Sequence, residues 1–147
     1  DRLRSRGLGD VYKRQVRENP KRMRELLNTN PNFVFFEERV GMGEADGPLG
    51  AQAVPLTPGA SVAVDRRYWK LGVPFVTEVT QDNPAMAFAR PVIAQDTGGA
   101  IRGVIRFDYF WGFGDIAGAQ AGRQKSRAHA WVLVPRGMKP SDIMTAR

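Results

Sequence analysis

A small, mainly β barrel is the fold class this sequence predicts, and three observations carry the expectation. Short apolar runs rich in Val, Ile and Phe recur six or seven times, each bounded by turn residues. The 147 residues include 16 Gly and 10 Pro, a density that suits tight turns between strands. One late segment, from Asp115 to about Lys125, breaks the pattern and reads as a helix. The length suffices for one domain with a single substantial core.

Taken in order, residues 1–15 read DRLRSRGLGDVYKRQ and have no apolar periodicity. Asp10-Val11-Tyr12-Lys13-Arg14-Gln15 looks like the in-frame translation of a transposon adapter used in sequencing libraries, so residues 1–15 are expected to be non-native. Residues 18–28 put Met23, Leu26 and Leu27 at helical spacing, with Pro20 tolerated in the first turn. Asn30-Pro31-Asn32 ends that helix, and Phe33-Val34-Phe35-Phe36 reads as a strand. A glycine-rich loop over 41–48 leads to an extended piece at 50–55 and the turn Leu56-Thr57-Pro58-Gly59.

The strand predicted over 61–65 carries Ala63 and Asp65 on one face and Val62 and Val64 on the other. A tight turn over 65–68 follows, then a strand over 74–80, a turn at Gln81-Asp82-Asn83-Pro84, and a strand over 91–95 entering Asp96. The run 104–109 alternates, with Val104, Arg106 and Asp108 on one face and Ile105, Phe107 and Tyr109 on the other. Asp115 is the expected N-cap of the late helix. Gly118 and Gly122 weaken that helix by about 1 kcal/mol each relative to alanine, which close packing on the sheet would offset. A last strand covers 130–134, and 136–147 reads as a C-terminal tail.

Composition excludes several chemistries. There is no cysteine, hence no disulfide framework and no thiolate metal site. The single histidine, His129, rules out a His-rich metal centre, has no visible partner, and reads as structural or surface. The net charge is +7, but removing the five Lys/Arg and two Asp of residues 1–15 leaves 17 basic against 13 acidic residues, or +4. That is a mild bias towards anionic partners and no case for nucleic acid. No stretch reaches the roughly 18 apolar residues of a membrane span. The chain does not begin with Met, and its natural N-terminus is expected to lie upstream.

The chemistry is expected between Pro91 and Gly114. Asp65, Asp96 and Asp108 each end or follow a strand, and for any one of them a turn-capping role is the ordinary reading. Asp108 departs from it, because Phe107, Tyr109, Phe110 and Trp111 surround it and no Gly, Asn or Pro follows directly. Desolvation in such surroundings raises a carboxyl pKa and prepares a general acid. Asp96-Thr97-Gly98 also matches the pattern of aspartic proteases, which need two such aspartates sharing a proton; only one copy occurs. Tyr109 and Trp111 suit stacking on sugar faces, although core or rim packing is the commoner use of such rings.

A run of motifs then carries a resemblance. Gly47-Pro48-Leu49-Gly50-Ala51, Val54-Pro55-Leu56-Thr57-Pro58-Gly59, Ala63-Val64-Asp65, Ala94-Gln95-Asp96-Thr97-Gly98-Gly99-Ala100-Ile101 and Asp108-Tyr109-Phe110-Trp111-Gly112-Phe113-Gly114 occur in order. Over about residues 18–135 the chain resembles the C-terminal, three-aspartate part of the membrane-bound lytic murein transglycosylase A family. The resemblance implies a six-stranded double-psi β-barrel, incomplete here because its N-terminal strands are missing. Residues 33–135 would be the barrel and 16–32 the remnant of an inserted second domain.

The resemblance further implies non-hydrolytic cleavage of the MurNAc-β-1,4-GlcNAc bond of peptidoglycan to 1,6-anhydro products. Asp108 would be the catalytic acid/base and Asp96 and Asp65 supporting residues. Thr97, Gly98, Gly99, Tyr109 and Trp111 would face the glycan. No metal and no cofactor is implied. The expected partner is the peptidoglycan glycan strand, met by a monomer in the periplasm and held at the outer membrane through an anchor outside this sequence. A non-catalytic peptidoglycan-binding barrel is the alternative, with an aspartic-type protease behind it.

Overall fold

The computed structural model of the chain describes residues 15–29, 41, 43 and 46–145. The expected strand over 33–36 and most of residues 1–15 lie outside the described residues. The chain falls into two compact units, Asp1–Gly41 and Met42–Arg147. In the first, a 3-10 turn Pro20–Arg22 runs into a short helix Met23–Asn28. Arg22 pairs with Glu25 at 2.9 Å on the exposed surface, a contact worth at most about 1 kcal/mol.

The second unit is built on one curled sheet of five strands: β1 (Ser61–Val64), β2 (Pro74–Gln81), β3 (Met86–Asp96), β4 (Phe107–Tyr109) and β5 (Arg127–Val132). Their order is β4-β1-β3-β2-β5, with β1 parallel to β3 and every other pair antiparallel. The mainly β class holds; among the described residues the sheet has five strands where six were expected.

Alternation selects the core face. Phe75, Thr77 and Val79 of β2, Val62 and Val64 of β1, and Val92 and Ala94 of β3 are buried. Trp69, Phe107, Tyr109, Val132 and Ile143 pack against this cluster. Phe75 is its centre, meeting Trp69 and Phe107 edge-on at ring centroid distances of 5.0 and 5.1 Å. Burying a side chain of that size contributes about 1.5–3 kcal/mol, before any aromatic pairing term. Thr77 is the polar exception, and its hydroxyl is satisfied by the Arg90 carbonyl at 3.3 Å and by the Tyr109 hydroxyl.

Four expectations need correction. The strand predicted over 104–109 is paired only at Phe107–Tyr109. Upstream, Gly103 adopts φ +119°, outside the range of L side chains, and the Trp69 indole N–H donates to the Val104 carbonyl at 2.7 Å, fixing a loop there. The late helix spans Gly114–Arg123 with Phe113 as N-cap, so Asp115 lies in its first turn. Nothing lies within 4 Å of where a Cβ would stand on Gly118 or Gly122, so the sheet packing expected to offset them is absent. Finally, the tail is not featureless. Pro140–Ile143 forms a short helix, Met144 bridges to Trp69, and the Thr145 N–H donates to the Tyr68 carbonyl at 3.0 Å.

Candidate active site

The site is a consequence of register. On β1, Ala63 lies opposite Asp108 of β4 on one side and opposite Asp96 of β3 on the other. Directly opposed residues point to the same sheet face, so the two carboxylates flank one methyl group. They are two strand spacings apart, roughly 10 Å between Cα atoms. Together with Ala63, Ser61, Leu56 and Phe110, they line a cleft of about 130 Å³. A larger hollow of about 340 Å³ occurs within the helical unit, lined by Gln15, Asn19, Arg22 and Glu25 among others. It holds no carboxylate pair, Glu25 being its one acid and already bonded to Arg22.

Asp96 reaches this face because β3 carries a bulge. Val62 pairs with Ala94 but Ala63 pairs with Asp96, so Gln95 is the extra residue. Simple alternation would place Asp96 with Ala94, which is fully buried in the core. The bulge turns the carboxylate outward instead, a known use of this feature. Gln95 is held by the Ser61 hydroxyl, which donates to its Oε1 at 2.5 Å. The Gln95 carbonyl accepts the Gln52 N–H at 3.0 Å, and the Ala51 N–H donates to Asp96 Oδ1 at 3.0 Å. The loop comes this close because residue 50 is glycine: a Cβ there would lie 2.5 Å from the Gln95 carbonyl oxygen.

Asp108 is set differently. Arg106, in the loop just before β4, forks onto it, Nε to Oδ1 at 2.5 Å and Nη2 to Oδ2 at 3.2 Å. The pair is open to solvent, with side chains 44% and 41% exposed. The aromatic neighbours therefore do not enclose the carboxylate, and the desolvation expected for it is not what the structure provides. The carboxylate does hold the Arg106 guanidinium pKa above its ordinary value, hydrogen bonding outweighing burial.

The third aspartate is elsewhere. Asp65 is buried and does not line the cleft. Arg67 grips both its oxygens at 2.6 to 3.1 Å, and the Gly103 N–H adds a bond of 2.8 Å. The Arg67 fork holds the Asp65 carboxyl well below the usual carboxylate range, against the opposing effect of burial. With the Trp69–Val104 bond, this node ties the turn after β1 to the loop that delivers Arg106 and Asp108.

A profile of the 3D domain matches residues 60–134, slightly more than half of the chain and the whole span from β1 to β5. The chain belongs to the 3D domain family. The chain is similar to membrane-bound lytic murein transglycosylase A from Vibrio cholerae, 38% identical over 117 residues covering 76% of this chain and 30% of the relative. The Escherichia coli K12 protein of the same name is 39% identical over the same coverage. Among solved structures, MltA from Neisseria gonorrhoeae superposes with a TM-score of 0.73 and 44% identity, covering 84% of this chain and 31% of that one. E. coli MltA with bound chitohexaose gives 0.64 and 36%, covering 76% and 34%. This chain thus spans about a third of the length of the proteins it matches.

Within the 3D domain, the other residues singled out in the sequence divide. Thr97 donates its hydroxyl to the Val64 carbonyl at 2.9 Å, Gly98 is half-buried, and Gly99 is exposed with no atom within 4 Å of an added Cβ. Tyr109 borders the cleft, but its hydroxyl turns to Thr77 and burial pushes its pKa up. Trp111 packs edge-on against Phe88 at 5.7 Å and donates its indole N–H to Gln124 at 2.8 Å. The structure does not bring the Trp111 ring to the carboxylates. Sequence reasoning missed Ala51, Gln95 and Ala63 as parts of the site. The one signal that could have found them is the glycine at 50, where the loop comes close to Gln95.

Proposed function

We propose that this 3D domain is the catalytic part of a lytic transglycosylase that cleaves the MurNAc-β-1,4-GlcNAc bond of peptidoglycan without water. The observation that carries the reading is the pairing of Asp108 and Asp96 across Ala63 on one cleft. The names of the relatives support the activity, and the chitohexaose bound to E. coli MltA supports a β-1,4-linked glycan as ligand. The six-stranded, double-psi form of the complete barrel belongs to the same proposal. So does a place at the cell envelope, outside the cytoplasm, for a monomer anchored through another part of the protein. No helix among the described residues is long and apolar enough to cross a membrane.

In the reaction, the protonated Asp108 carboxyl gives its proton to the glycosidic oxygen as the C1–O bond breaks. The O6 hydroxyl of the same muramyl residue attacks C1, and its proton passes to the Asp108 carboxylate. The products are a 1,6-anhydro ring and a free GlcNAc 4-hydroxyl, and the acid is regenerated. An intramolecular nucleophile removes the need for the second carboxylate of ordinary glycosidases, and for a metal or cofactor. Asp96, fixed by Ala51, supports positive charge developing at C1, while Asp65 holds the loop behind Asp108. Thr97, Gly98 and Gly99 lie beside Asp96 where the chain end of the glycan approaches. Tyr109 and Trp111 brace the opposite face.

Asp108 acts as an acid only after leaving Arg106. An ion pair this exposed contributes about 0–1 kcal/mol, so a sugar in the cleft displaces it at small cost. The same ion pair is the observation that favours a binding-only barrel as the second reading, since it engages both carboxylate oxygens. A shared proton of the aspartic-protease kind would need a second Asp-Thr-Gly copy from another chain, because Asp108 stands across a strand from Asp96 and such pairs need oxygens about 3 Å apart.

The test is Asp108→Asn in the complete protein, assayed by anhydro-muropeptides released from purified sacculi. Turnover should fall by at least about 100-fold. Full activity in the variant would remove Asp108 from the role, and co-sedimentation without release by the parent protein would establish the binder.

A further inference from the structure

We propose that Ala63 is the floor of the glycan cleft, and that the size of its side chain sets how deeply a sugar sits between Asp96 and Asp108. The inference rests on the functional reading above and assigns a specificity-determining position within that site. Ala63 is the one residue paired with both aspartates, through β3 on one side and β4 on the other. Its neighbours on the strand, Val62 and Val64, point into the core and are 1% and 0% exposed. Ala63, paired with both aspartates, shares their face, is only partly buried, and lines the cleft, at whose edge Val62 also lies.

Intrinsic strand preference gives no reason for alanine here. Alanine is depleted in strands, and β-branched residues suit such a position better. Val62 and Val64 on either side show that the strand itself accepts valine. A side chain that gains nothing from propensity and carries only a methyl group leaves space over the sheet between the carboxylates. In a cleft of about 130 Å³, each added carbon removes a sizeable part of that space. The bulge at Gln95 adds to the case, because it raises Asp96 to the same face as Ala63 and Asp108. Without it the methyl group would adjoin one carboxylate only.

The obstruction acts on the seating of the sugar, so it should appear in binding as well as in turnover. The complete protein is prepared with Ala63→Ser, Ala63→Val and Ala63→Leu, each also combined with Asp108→Asn to block chemistry. Turnover on sacculi is expected to fall in order of size, about two-fold for Ser, ten-fold for Val and a hundred-fold for Leu. Calorimetric binding of chitohexaose to the Asp108→Asn forms is expected to weaken in the same order. Thermal unfolding midpoints should be unchanged for Val and Leu, since the added carbons face the cleft and not the core. Ala89→Leu, an exposed site on β3, serves as the size control and should alter neither readout.

Equal chitohexaose binding by the parent and the Ala63→Leu form, both folded, would overturn the inference while leaving the transglycosylase reading intact. A loss of binding matched by an equal loss from Ala89→Leu would overturn it too. A parent that binds no glycan and releases no product would overturn the functional reading itself, and the floor with it. Should Ala63→Leu fail to fold, the Ala63→Val form decides, because its β-branch suits the strand.

Discussion

Asp65 and Asp108 stand at two ends of one structural problem, and the contrast shows how the domain divides labour between its acids. Both carboxylates are forked by an arginine two residues away in sequence, Arg67 and Arg106 respectively. Asp65 is buried, takes an additional backbone N–H from Gly103, and is driven below the ordinary carboxylate range. Asp108 is 41% exposed, makes no further bond among the described residues, and looks onto a cleft. The same local motif is a fixed joint where water is excluded and a releasable clamp where water is present. Burial, more than the identity of the pair, separates the structural acid from the one free to react.

The largest expected effect comes from breaking the joint. Asp65→Ala leaves Arg67 without its partner and frees the Gly103 N–H, so the unfolding midpoint should fall by roughly 10 °C or more. Asp108→Ala, by the same measure, should move it by less than about 3 °C. Equal shifts would erase the distinction. The pH dependence follows with a definite sign. A carboxyl whose folded pKa is depressed contributes stability that is complete above its unfolded value of about 4. That contribution is lost as pH falls below this value towards the folded pKa. Acid titration of the parent should therefore show a loss of stability below about pH 4 that is reduced in Asp65→Asn.

A smaller effect is expected on the other side of the cleft. Gly50→Ala drives a Cβ to 2.5 Å from the Gln95 carbonyl and 2.6 Å from Leu56 Cδ2, so the loop must retreat. Overpacking of this kind costs about 1–3 kcal/mol. The more telling outcome is functional, because Ala51 withdraws its N–H from Asp96. Turnover of the complete protein should fall about ten-fold even where the protein remains folded. A variant that loses stability but keeps its full rate per folded molecule would show that the Ala51 bond holds the bulge and nothing more.

Much of the sheet was legible because period-2 alternation needs no partner: Val62 and Val64 of β1, Phe75, Thr77 and Val79 of β2, and Val92 and Ala94 of β3 all recur at every second position. Met86–Arg90 was not, since Pro91 reads as the first residue of a strand. In the sheet, β1 joins β3 only from Ile93 onward, which leaves Pro91 beside an unpaired stretch. The run 104–109 misled for the opposite reason. Its alternation is good, but the Asp65 and Trp69 bonds hold its first half as a loop. The motifs carried both cleft aspartates, yet not why they meet. A bulge is a property of two strands in register, and neither Gln95 nor Ala63 carries a chemical signal of its own. Asp65 read as a turn-capping residue on general grounds, and it does accept the Arg67 N–H at 3.1 Å, but its burial and the bond from Gly103 came from tertiary contacts that no local pattern encodes.

The smallest effect is expected at the turn between β3 and the loop. Gly99 is exposed, has no positive φ, and an added Cβ would meet nothing within 4 Å, so Gly99→Ala should change stability by less than about 0.5 kcal/mol. Gly98 is tighter, its Cβ position lying 3.2 Å from Ile101 Cγ1, and should respond somewhat more. Folding therefore makes almost no demand for glycine at 99. If the glycan passes over this turn beside Asp96, the added methyl occupies space a sugar would use, and turnover should drop two- to five-fold with the unfolding midpoint unmoved. An unchanged rate would place the glycan path on the Arg106 side of the cleft, away from Thr97 and both glycines.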